Sequence, residues 1–204
     1  MSESANNALE FYFDFSSPYG YLAAEKIDEL AAKYGRKVKW RPVLLGVIFK
    51  ATGAAPLTTV PMKGEYSKMD FVRSARFMGI PYNPPTRFPL PTQVAARAYY
   101  WLHERDCGMA RAFAKSVYRA LFVDDRDVSD AAVVLELAAA VGADRAALAE
   151  GVESPEIKDR LKAEVAAAIE KGVFGSPYIV CDGEAFFGAD RLPQLEARLT
   201  GKDF

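Results

Sequence analysis

Ser17 and Pro18 lie where an aromatic strand pattern at residues 11–15 ends and a helical pattern begins. A serine followed by a proline is a frequent helix start, because the hydroxyl accepts a backbone N–H and proline fixes a suitable φ. The N–H groups at a helix N-terminus also stabilise a thiolate. A seryl hydroxyl cannot form a disulfide, but it can donate a hydrogen bond to a thiolate. We therefore predict that Ser17 is a catalytic residue that acts on a thiol supplied by another molecule. A simple helix cap is the alternative.

A second proline, Pro177, opens an apolar strand pattern. Its position makes the Ser176–Pro177 bond a candidate cis peptide. Asp182-Gly183 then predicts a hairpin turn and a returning strand at 184–187. In the thioredoxin fold a cis-proline loop faces the helix N-terminus that bears the nucleophile, and the backbone before the proline pairs with a bound peptide. The pattern favours Ser176 and Pro177 as neighbours of Ser17, and an ordinary trans proline is the alternative.

A third turn, Gly188-Ala189-Asp190, ends that returning strand and precedes a final helix. Backbone N–H groups of Ala189 and Asp190 can bind a carboxylate at such a helix start, and the Asp190 carboxylate can pair with an ammonium group. Asp190 is also a good N-cap residue for the final helix, which is the alternative interpretation.

Taken in order, these motifs resemble the 2-hydroxychromene-2-carboxylate isomerase family, which is related to kappa-class glutathione transferases and to DsbA-type oxidoreductases of the thioredoxin superfamily. The resemblance extends from about residue 9 to the C-terminus. The segments that carry it are FDFSSPY (13–19), LGVIFKATG (45–53), PMKGEY (61–66), FGSP (174–177) and FGADR (187–191).

The resemblance implies that glutathione is the cofactor and assigns a role to each of these positions. Ser17 would donate to the glutathione sulfur, and Ser176-Pro177 would pair with the cysteinyl backbone. Ala189-Asp190 would hold the γ-glutamyl end. Lys63 would lie near the glycyl carboxylate or near the carboxylate of the substrate.

The resemblance also implies a reaction, the glutathione-dependent isomerisation of 2-hydroxychromene-2-carboxylate to trans-o-hydroxybenzylidenepyruvate in aromatic hydrocarbon catabolism. The glutathione thiolate would add to a conjugated carbon, the resulting single bond would rotate, and elimination would restore the double bond. A kappa-type glutathione transferase or peroxidase is the first alternative. A non-catalytic thioredoxin-like binding module is the second.

The loop at residues 80–91 contains five prolines, which make it stiff. Its aromatic and cationic residues suit one wall of a pocket for a flat aromatic carboxylate, with Arg87 as a carboxylate partner. A proline-rich connector between two helices is the alternative. With Tyr19, which follows Pro18, the expected substrate contacts are Tyr19, Asn83, Arg87 and Phe88.

The surrounding patterns predict the elements that position these residues. A strand, a helix at 18–34 and a second strand at 38–41 come first, and strands resume only at residue 178. Between them the pattern predicts helices at 47–52, 63–78, 92–106, 109–122, 130–141, 144–150 and 155–171. We therefore predict an α/β thioredoxin-like fold with a large all-helical insertion. Residues 1–45 and 161–204 would form the thioredoxin-like domain, and residues 46–160 the insertion.

Composition limits the possible partners. The chain has 204 residues and a formal charge of −1, which gives no electrostatic argument for nucleic acid or an anionic membrane. Residues 1–7 show no signal-peptide pattern and no apolar run is long enough to span a bilayer, so we expect a cytoplasmic protein. The family suggests a homodimer, and Tyr99, Tyr100 and Trp101 are apolar enough for either the core or an interface.

Four further side chains carry weaker predictions. Cys107 and Cys181 are far apart in sequence, so we expect no disulfide framework. His103 has no metal-ligand spacing to another residue, and no metal is predicted. Asp14 is either a buried carboxylate that tunes the site or a solvated residue at a strand end.

Overall fold

A mixed four-stranded sheet forms the centre of the computed structural model, which describes residues 8–201. The strands are β1 (Ala8–Phe13), β2 (Lys37–Pro42), β3 (Tyr178–Cys181) and β4 (Glu184–Phe187), in the order β2-β1-β3-β4. β1 pairs with β2 in parallel and with β3 antiparallel, and β3 and β4 form a hairpin. Most of β1 is buried, as its run of apolar residues requires for a central strand.

Helix α1 (Pro18–Lys33) connects the parallel strands β1 and β2. It begins at the predicted Ser17-Pro18 and is followed by Gly35, whose φ of 66° a residue with a Cβ adopts only at a cost. This unit, together with the hairpin that begins at Pro177, confirms the predicted thioredoxin-like arrangement. β1 ends at Phe13, two residues before the predicted end, so residues 14–17 form the turn that carries the candidate site.

Between β2 and β3 the described residues form helices and loops but no strand, as predicted. Its helices are α2 (Leu45–Thr52), α3 (Lys63–Met78), α4 (Gln93–His103), α5 (Cys107–Phe122), α6 (Ala131–Ala140), α7 (Arg145–Glu153) and α8 (Pro155–Glu170), with a 3₁₀ turn at Leu57–Thr59. Asp130 caps α6, because its carboxylate accepts the N–H of Ala132. Helix α8 continues without a break through residues 160 and 161, where the predicted domain boundary lies.

Side chains of α4 and α5 donate hydrogen bonds to backbone carbonyl groups along the outer edge of β2. Tyr99 and Tyr100 donate their hydroxyl groups to the carbonyl oxygens of Trp40 and Pro42, at 3.1 and 2.9 Å. Arg111 donates to the carbonyl of Val38 at 3.2 Å. An exposed edge strand would otherwise present these acceptors for pairing with another chain. Tyr99 and Tyr100 are buried, and they belong to the core rather than to an exposed interface.

The C-terminal part contains a short 3₁₀ turn, Ala189–Arg191, and then helix α9 (Leu192–Leu199). Arg191 occupies the N-cap position of α9, and the side chain of Asp190 makes no capping bond. The interpretation of Asp190 as an N-cap is therefore wrong, because the extra 3₁₀ turn moves the helix start beyond it. None of the helices between residues 8 and 201 is long and apolar enough to cross a membrane.

Candidate functional site

The Ser17 hydroxyl connects the start of α1 to the loop that precedes β3. Its oxygen accepts the N–H of Gly20 at 3.0 Å, as expected of a cap. The same hydroxyl donates its proton to the backbone carbonyl of Ser176 at 2.8 Å. Ser17 is only 4 % exposed and Ser176 only 8 %. The two positions that sequence analysis paired are therefore in direct contact.

The Ser176–Pro177 peptide bond is cis, which confirms the conformation expected from its position at a strand start. The Ser176 hydroxyl accepts the backbone N–H of Asp14 at 3.0 Å, and the Pro177 carbonyl accepts the N–H of Gly188 at 3.1 Å. The loop is thus fixed between the end of β1 and the turn that leads to Ala189. Three separate parts of the sequence meet at this point.

Gly20 lies one helical turn after Ser17, in the position that a second cysteine would occupy in a disulfide-exchange turn. A Cβ atom there would lie 2.7 Å from the Tyr118 hydroxyl and 2.8 Å from the Ser176 hydroxyl. Tyr118 donates to the backbone carbonyl of Asp14 at 3.0 Å, and burial holds the pKa of its phenol far above the usual value. The space for a second thiol is therefore filled by a permanent hydrogen-bond donor of the protein.

Asp14 is a buried carboxylate, so of the two sequence interpretations the solvated one is wrong. One carboxylate oxygen accepts the Ser16 N–H and the Thr92 hydroxyl, both at 2.8 Å, and the other accepts the Leu45 N–H at 2.6 Å. Burial raises the pKa of the Asp14 carboxyl, although these three hydrogen bonds act in the opposite direction. Asp14 therefore joins the turn before Ser17 to the starts of α2 and α4.

A charged cavity of about 1230 Å³ lies on one side of this turn, between α1, α3 and α9. Ala189 and Asp190 form part of its wall together with Tyr19. The Tyr19 hydroxyl donates to Asp70 of α3 at 2.5 Å, and burial, followed by that carboxylate, raises the pKa of Tyr19 well above its usual range. Further charged groups in the wall are Lys26, Glu29, Lys33, Arg73 and Glu196.

An apolar cavity of about 410 Å³ lies on the other side, next to Pro18. Among the residues that line it are Leu45, Val47, Phe49, Leu57, Phe88 and Leu90, and among the described residues its lining contains no lysine or arginine. The Phe88–Pro89 bond is a second cis peptide, which sequence analysis did not anticipate. Ser16 accepts the Leu90 N–H at 3.0 Å and so holds this loop against the Ser17 turn.

The remaining predicted contacts fall into two groups. Phe88 lines the apolar cavity. Lys63, at the start of α3, is not among the described residues that line either cavity; it adjoins Gly64, where a Cβ would lie 2.6 Å from the carbonyl oxygen of Thr58 in the apolar wall. Arg87 instead pairs with Asp127, and its side chain is 70 % exposed.

The contacts of Asn83 do not place it in the wall of a pocket. Its backbone N–H donates to the Phe122 carbonyl at 2.7 Å, and its side chain approaches the Val123 carbonyl at 3.4 Å. Neither Asn83 nor Arg87 is among the described residues that line the two cavities. Their contacts are those of a loop anchored to the end of α5.

The two cysteines lie elsewhere. Cys181 is buried at the far end of β3, and burial raises the pKa of its thiol. Cys107 is exposed at the start of α5, with its sulfur 3.6 Å from the Nε2 atom of His103. Within residues 8–201 no cysteine lines either cavity, and no cluster of three or more His, Cys, Asp or Glu side chains is arranged to hold a metal.

Sequence reasoning missed Tyr118, Asp70 and Thr92. Each contacts the turn at residues 14–19 from a helix or helix start of the insertion, 51 to 104 residues away in sequence. Tyr118 lies on the apolar face of its helix and gave no signal beyond that of a core residue. The glycine at position 20 was the one local sign that another group needs space there.

Comparison with known proteins agrees with this architecture. The sequence model of the DSBA-like thioredoxin domain matches residues 8–200. The 2-hydroxychromene-2-carboxylate isomerase of Sphingobium xenophagum is 32 % identical over 94 % of this chain and 97 % of its own length. Glutathione S-transferase kappa 1 of Rattus norvegicus is 27 % identical over 97 % of this chain and 92 % of its own.

A solved structure of a 2-hydroxychromene-2-carboxylate isomerase superposes with a TM-score of 0.86 at 28 % identity, covering 95 % of both chains. The residues matched by the DSBA-like thioredoxin model include the Ser17 turn and the cis-proline loop. The chain therefore belongs to the 2-hydroxychromene-2-carboxylate isomerase family, within the DsbA-like thioredoxin domains.

Proposed function

We propose that this protein is a glutathione-dependent isomerase that acts on 2-hydroxychromene-2-carboxylate or a closely similar aromatic carboxylate. The observation that carries the proposal is the contact of the buried Ser17 hydroxyl, at the start of α1, with the Ser176-cis-Pro177 backbone. This arrangement is suited to a thiol, yet among the described residues neither neighbouring cavity contains a cysteine. The reactive sulfur therefore comes from a bound cofactor.

Glutathione is assigned to the charged cavity. Its cysteinyl backbone pairs with Ser176, and its sulfur lies at the N-terminus of α1. The α-carboxylate of the γ-glutamyl end meets the backbone of Ala189 and Asp190, and the Asp190 carboxylate takes the ammonium group. Lys63 is assigned to a carboxylate of glutathione or of the substrate.

The protein supplies two groups that lower the pKa of the bound thiol. The helix N-terminus contributes partial positive charge, and a hydroxyl can donate to the sulfur. A free thiol has a pKa of about 8.5, and helix N-termini lower this to ~7 or below, so much of the bound cofactor is thiolate at neutral pH.

The apolar cavity is assigned to the aromatic ring of the substrate. Its wall, which includes Phe49, Leu57 and Phe88, suits a flat apolar group. The thiolate adds to a conjugated carbon of the ring-opened form, the former double bond rotates, and expulsion of the same thiolate restores the double bond. Glutathione is regenerated in each turnover, so the net reaction is an isomerisation.

A kappa-type glutathione transferase is the second candidate, favoured by the 27 % identity to the rat enzyme of that class. The same thiolate would then remain attached to an electrophile. The two functions differ in stoichiometry, because an isomerase recovers its glutathione and a transferase consumes one molecule per product.

We also propose a cytoplasmic location and a homodimer.

Replacement of Ser17 by alanine tests the proposal. Wild-type protein should bind glutathione in a calorimetric titration and should show ultraviolet thiolate absorbance at neutral pH. The Ser17→Ala variant should raise the pKa of the bound thiol by about one to two units, because a hydrogen bond to a charged group is lost. Isomerisation of the chromene carboxylate should fall accordingly, with glutathione recovered in the wild-type reaction.

Ser154→Ala is the matched control, because Ser154 precedes Pro155 and caps α8 in the same manner, accepting the Ile157 N–H at 3.3 Å. This variant should leave thiolate formation unchanged. If the wild type binds no glutathione, the enzymatic proposal fails and a non-catalytic binding module remains. Net loss of glutathione during turnover would favour the transferase.

A further inference from the structure

The Ser17 hydroxyl has a single proton, and that proton is already in use. It goes to the Ser176 carbonyl at 2.8 Å, while the Ser17 oxygen accepts the Gly20 N–H. A hydroxyl can accept more than one hydrogen bond but can donate only one. Ser17 therefore cannot donate to a sulfur atom until its proton leaves Ser176.

The surroundings make that release unfavourable while no other donor reaches the Ser176 carbonyl. Both residues are almost completely buried, so water does not readily replace the lost partner of the carbonyl. The Ser176 hydroxyl is itself held by the Asp14 N–H, and Tyr118 donates to the Asp14 carbonyl. If Ser17 turns its proton to a bound group, the buried Ser176 carbonyl is left without a donor unless that group brings its own.

We propose that the amide N–H of an incoming thiol peptide takes over the Ser176 carbonyl and thereby frees the Ser17 proton for the thiolate. The inference rests on the proposed function and deepens it by naming the class of cofactor. The site activates thiols whose thiol-bearing residue carries a backbone amide N–H, as in glutathione. It leaves a thiol without that N–H unactivated, even when the thiol reaches the same position.

The exchange conserves hydrogen bonds. Without a peptide, Ser17 donates to Ser176; with one, the peptide N–H donates to Ser176 and Ser17 donates to sulfur. The N–H of Gly20 continues to donate to the Ser17 oxygen throughout, so α1 keeps its cap. The Ser176 carbonyl thus acts as a specificity determinant, and Ser17 acts on the sulfur only after that carbonyl is occupied.

The first test uses S-methylglutathione, which brings the amide N–H but cannot form a thiolate. A carbonyl oxygen can accept two hydrogen bonds, so in wild-type protein, with no thiolate to attract the Ser17 proton, the peptide N–H adds only a second bond to the Ser176 carbonyl. In Ser17→Ala the same N–H supplies the donor that this buried carbonyl has lost. Calorimetry should therefore show about fivefold tighter binding to Ser17→Ala than to wild type, the equivalent of one hydrogen bond. Ser154→Ala should bind as wild type does. Equal or weaker binding to Ser17→Ala overturns the proposal.

The second test uses only wild-type protein and so does not depend on how a variant folds. Thiolate absorbance is titrated against pH for saturating glutathione and for a saturating analogue methylated on the cysteinyl amide nitrogen. The bound thiol of the analogue should have a pKa about one to two units above that of bound glutathione. Equal pKa values overturn the exchange and leave the proposed function intact. Failure of glutathione itself to form a bound thiolate removes both.

Discussion

Asp14 is an unusual residue for its place in the molecule, because its carboxylate is buried without a cation. Its partners are two backbone N–H groups and the Thr92 hydroxyl, and none of the ion pairs found within residues 8–201 includes it. Desolvation disfavours the charged form, and its effect exceeds that of the three donors, so the pKa of Asp14 is raised. The residue supports the geometry of the turn and reduces stability when ionised.

This balance predicts how the stability of an Asp14→Asn variant depends on pH. An amide offers one acceptor oxygen, so one of the donors around position 14 loses its partner at every pH, at a cost of about 1–3 kcal/mol. Since the folded-state pKa is raised, the stabilisation by the wild-type carboxyl is complete below the unfolded value of 3.8 and is lost as pH rises through the folded pKa.

The wild-type advantage over Asp14→Asn should therefore shrink with rising pH, by about 1.4 kcal/mol for each unit by which the pKa is raised. Denaturant unfolding of both proteins between pH 3.5 and 8 measures this difference. An advantage that instead grows with pH would mean that the hydrogen bonds exceed desolvation and that the pKa is lowered.

At the scale of elements, the first turn of α1 is shaped by its contact with α5. Glycine is a poor helix residue, and alanine at an unobstructed helix position stabilises by about 0.5–1 kcal/mol. At Gly20 the added methyl group would lie 2.7 Å from the Tyr118 hydroxyl and 2.8 Å from that of Ser176. Gly20→Ala should therefore destabilise the protein by about 1–3 kcal/mol, as overpacking does.

Gly46→Ala is the matched control, because Gly46 also lies in the first turn of a helix and its Cβ would meet nothing within 4 Å. That variant should be neutral or slightly stabilising. Thermal or denaturant unfolding compares the two. Adding Tyr118→Phe to Gly20→Ala should recover part of the loss in a double-mutant cycle, because the nearest obstructing oxygen is removed. Purely additive effects would show that the Tyr118 hydroxyl is not the obstacle.

Elements with local signals could be predicted from sequence, and those set by distant contacts could not. The helix starts at Ser17 and Ser154 can be predicted because a proline follows each serine. The interpretation of Asp190 as the N-cap of the final helix was wrong because nothing nearby in the sequence distinguishes a 3₁₀ turn from the first turn of an α-helix. Arg87 was expected to face a pocket, but its charge pairs with Asp127, forty residues away.

At the scale of the molecule, the site also combines features that local sequence signals predict with features that distant contacts determine. The Ser17–Ser176 contact was predictable because both positions are turn residues of known fold geometry. The two cavities on either side of that contact were not, because α3 closes one and the α2 region and the 88–93 loop close the other. No sequence periodicity fixes how an inserted helical segment packs back onto the sheet.

Helix α3 carries an exposed apolar stripe that the single chain does not cover. Met62, Met69 and Val72 are 90 %, 63 % and 41 % exposed. Met69 and Val72 share one face of the helix with Glu65 and Arg76, at successive spacings of four, three and four residues, and Met62 directly precedes the helix as its N-cap. Such an exposed apolar stripe indicates an interface.

The stripe is complementary to a second copy of itself. When two α3 helices pack antiparallel with Met69 opposite Val72, Glu65 of each copy lies opposite Arg76 of the other, as a two-fold interface requires. Among residues 8–201 of one chain, Glu65 forms an ion pair only with Lys68, at the surface, where such pairs contribute little. Because α3 also lines the charged cavity, dimerisation here would place the second copy beside the proposed glutathione site.

We therefore expect a homodimer that Met69→Asp disrupts, since two carboxylates would be placed in the centre of the apolar stripe. Light scattering after size exclusion should give twice the chain mass of 22.4 kDa for wild type and a single chain mass for Met69→Asp. Ala163→Asp, on an exposed position of α8, controls for added charge and should remain dimeric. A dimeric Met69→Asp variant would place the interface elsewhere, whereas a monomeric wild type would leave the stripe for a different partner. If the variant is monomeric and binds glutathione more weakly, the second copy also contributes to the cofactor site.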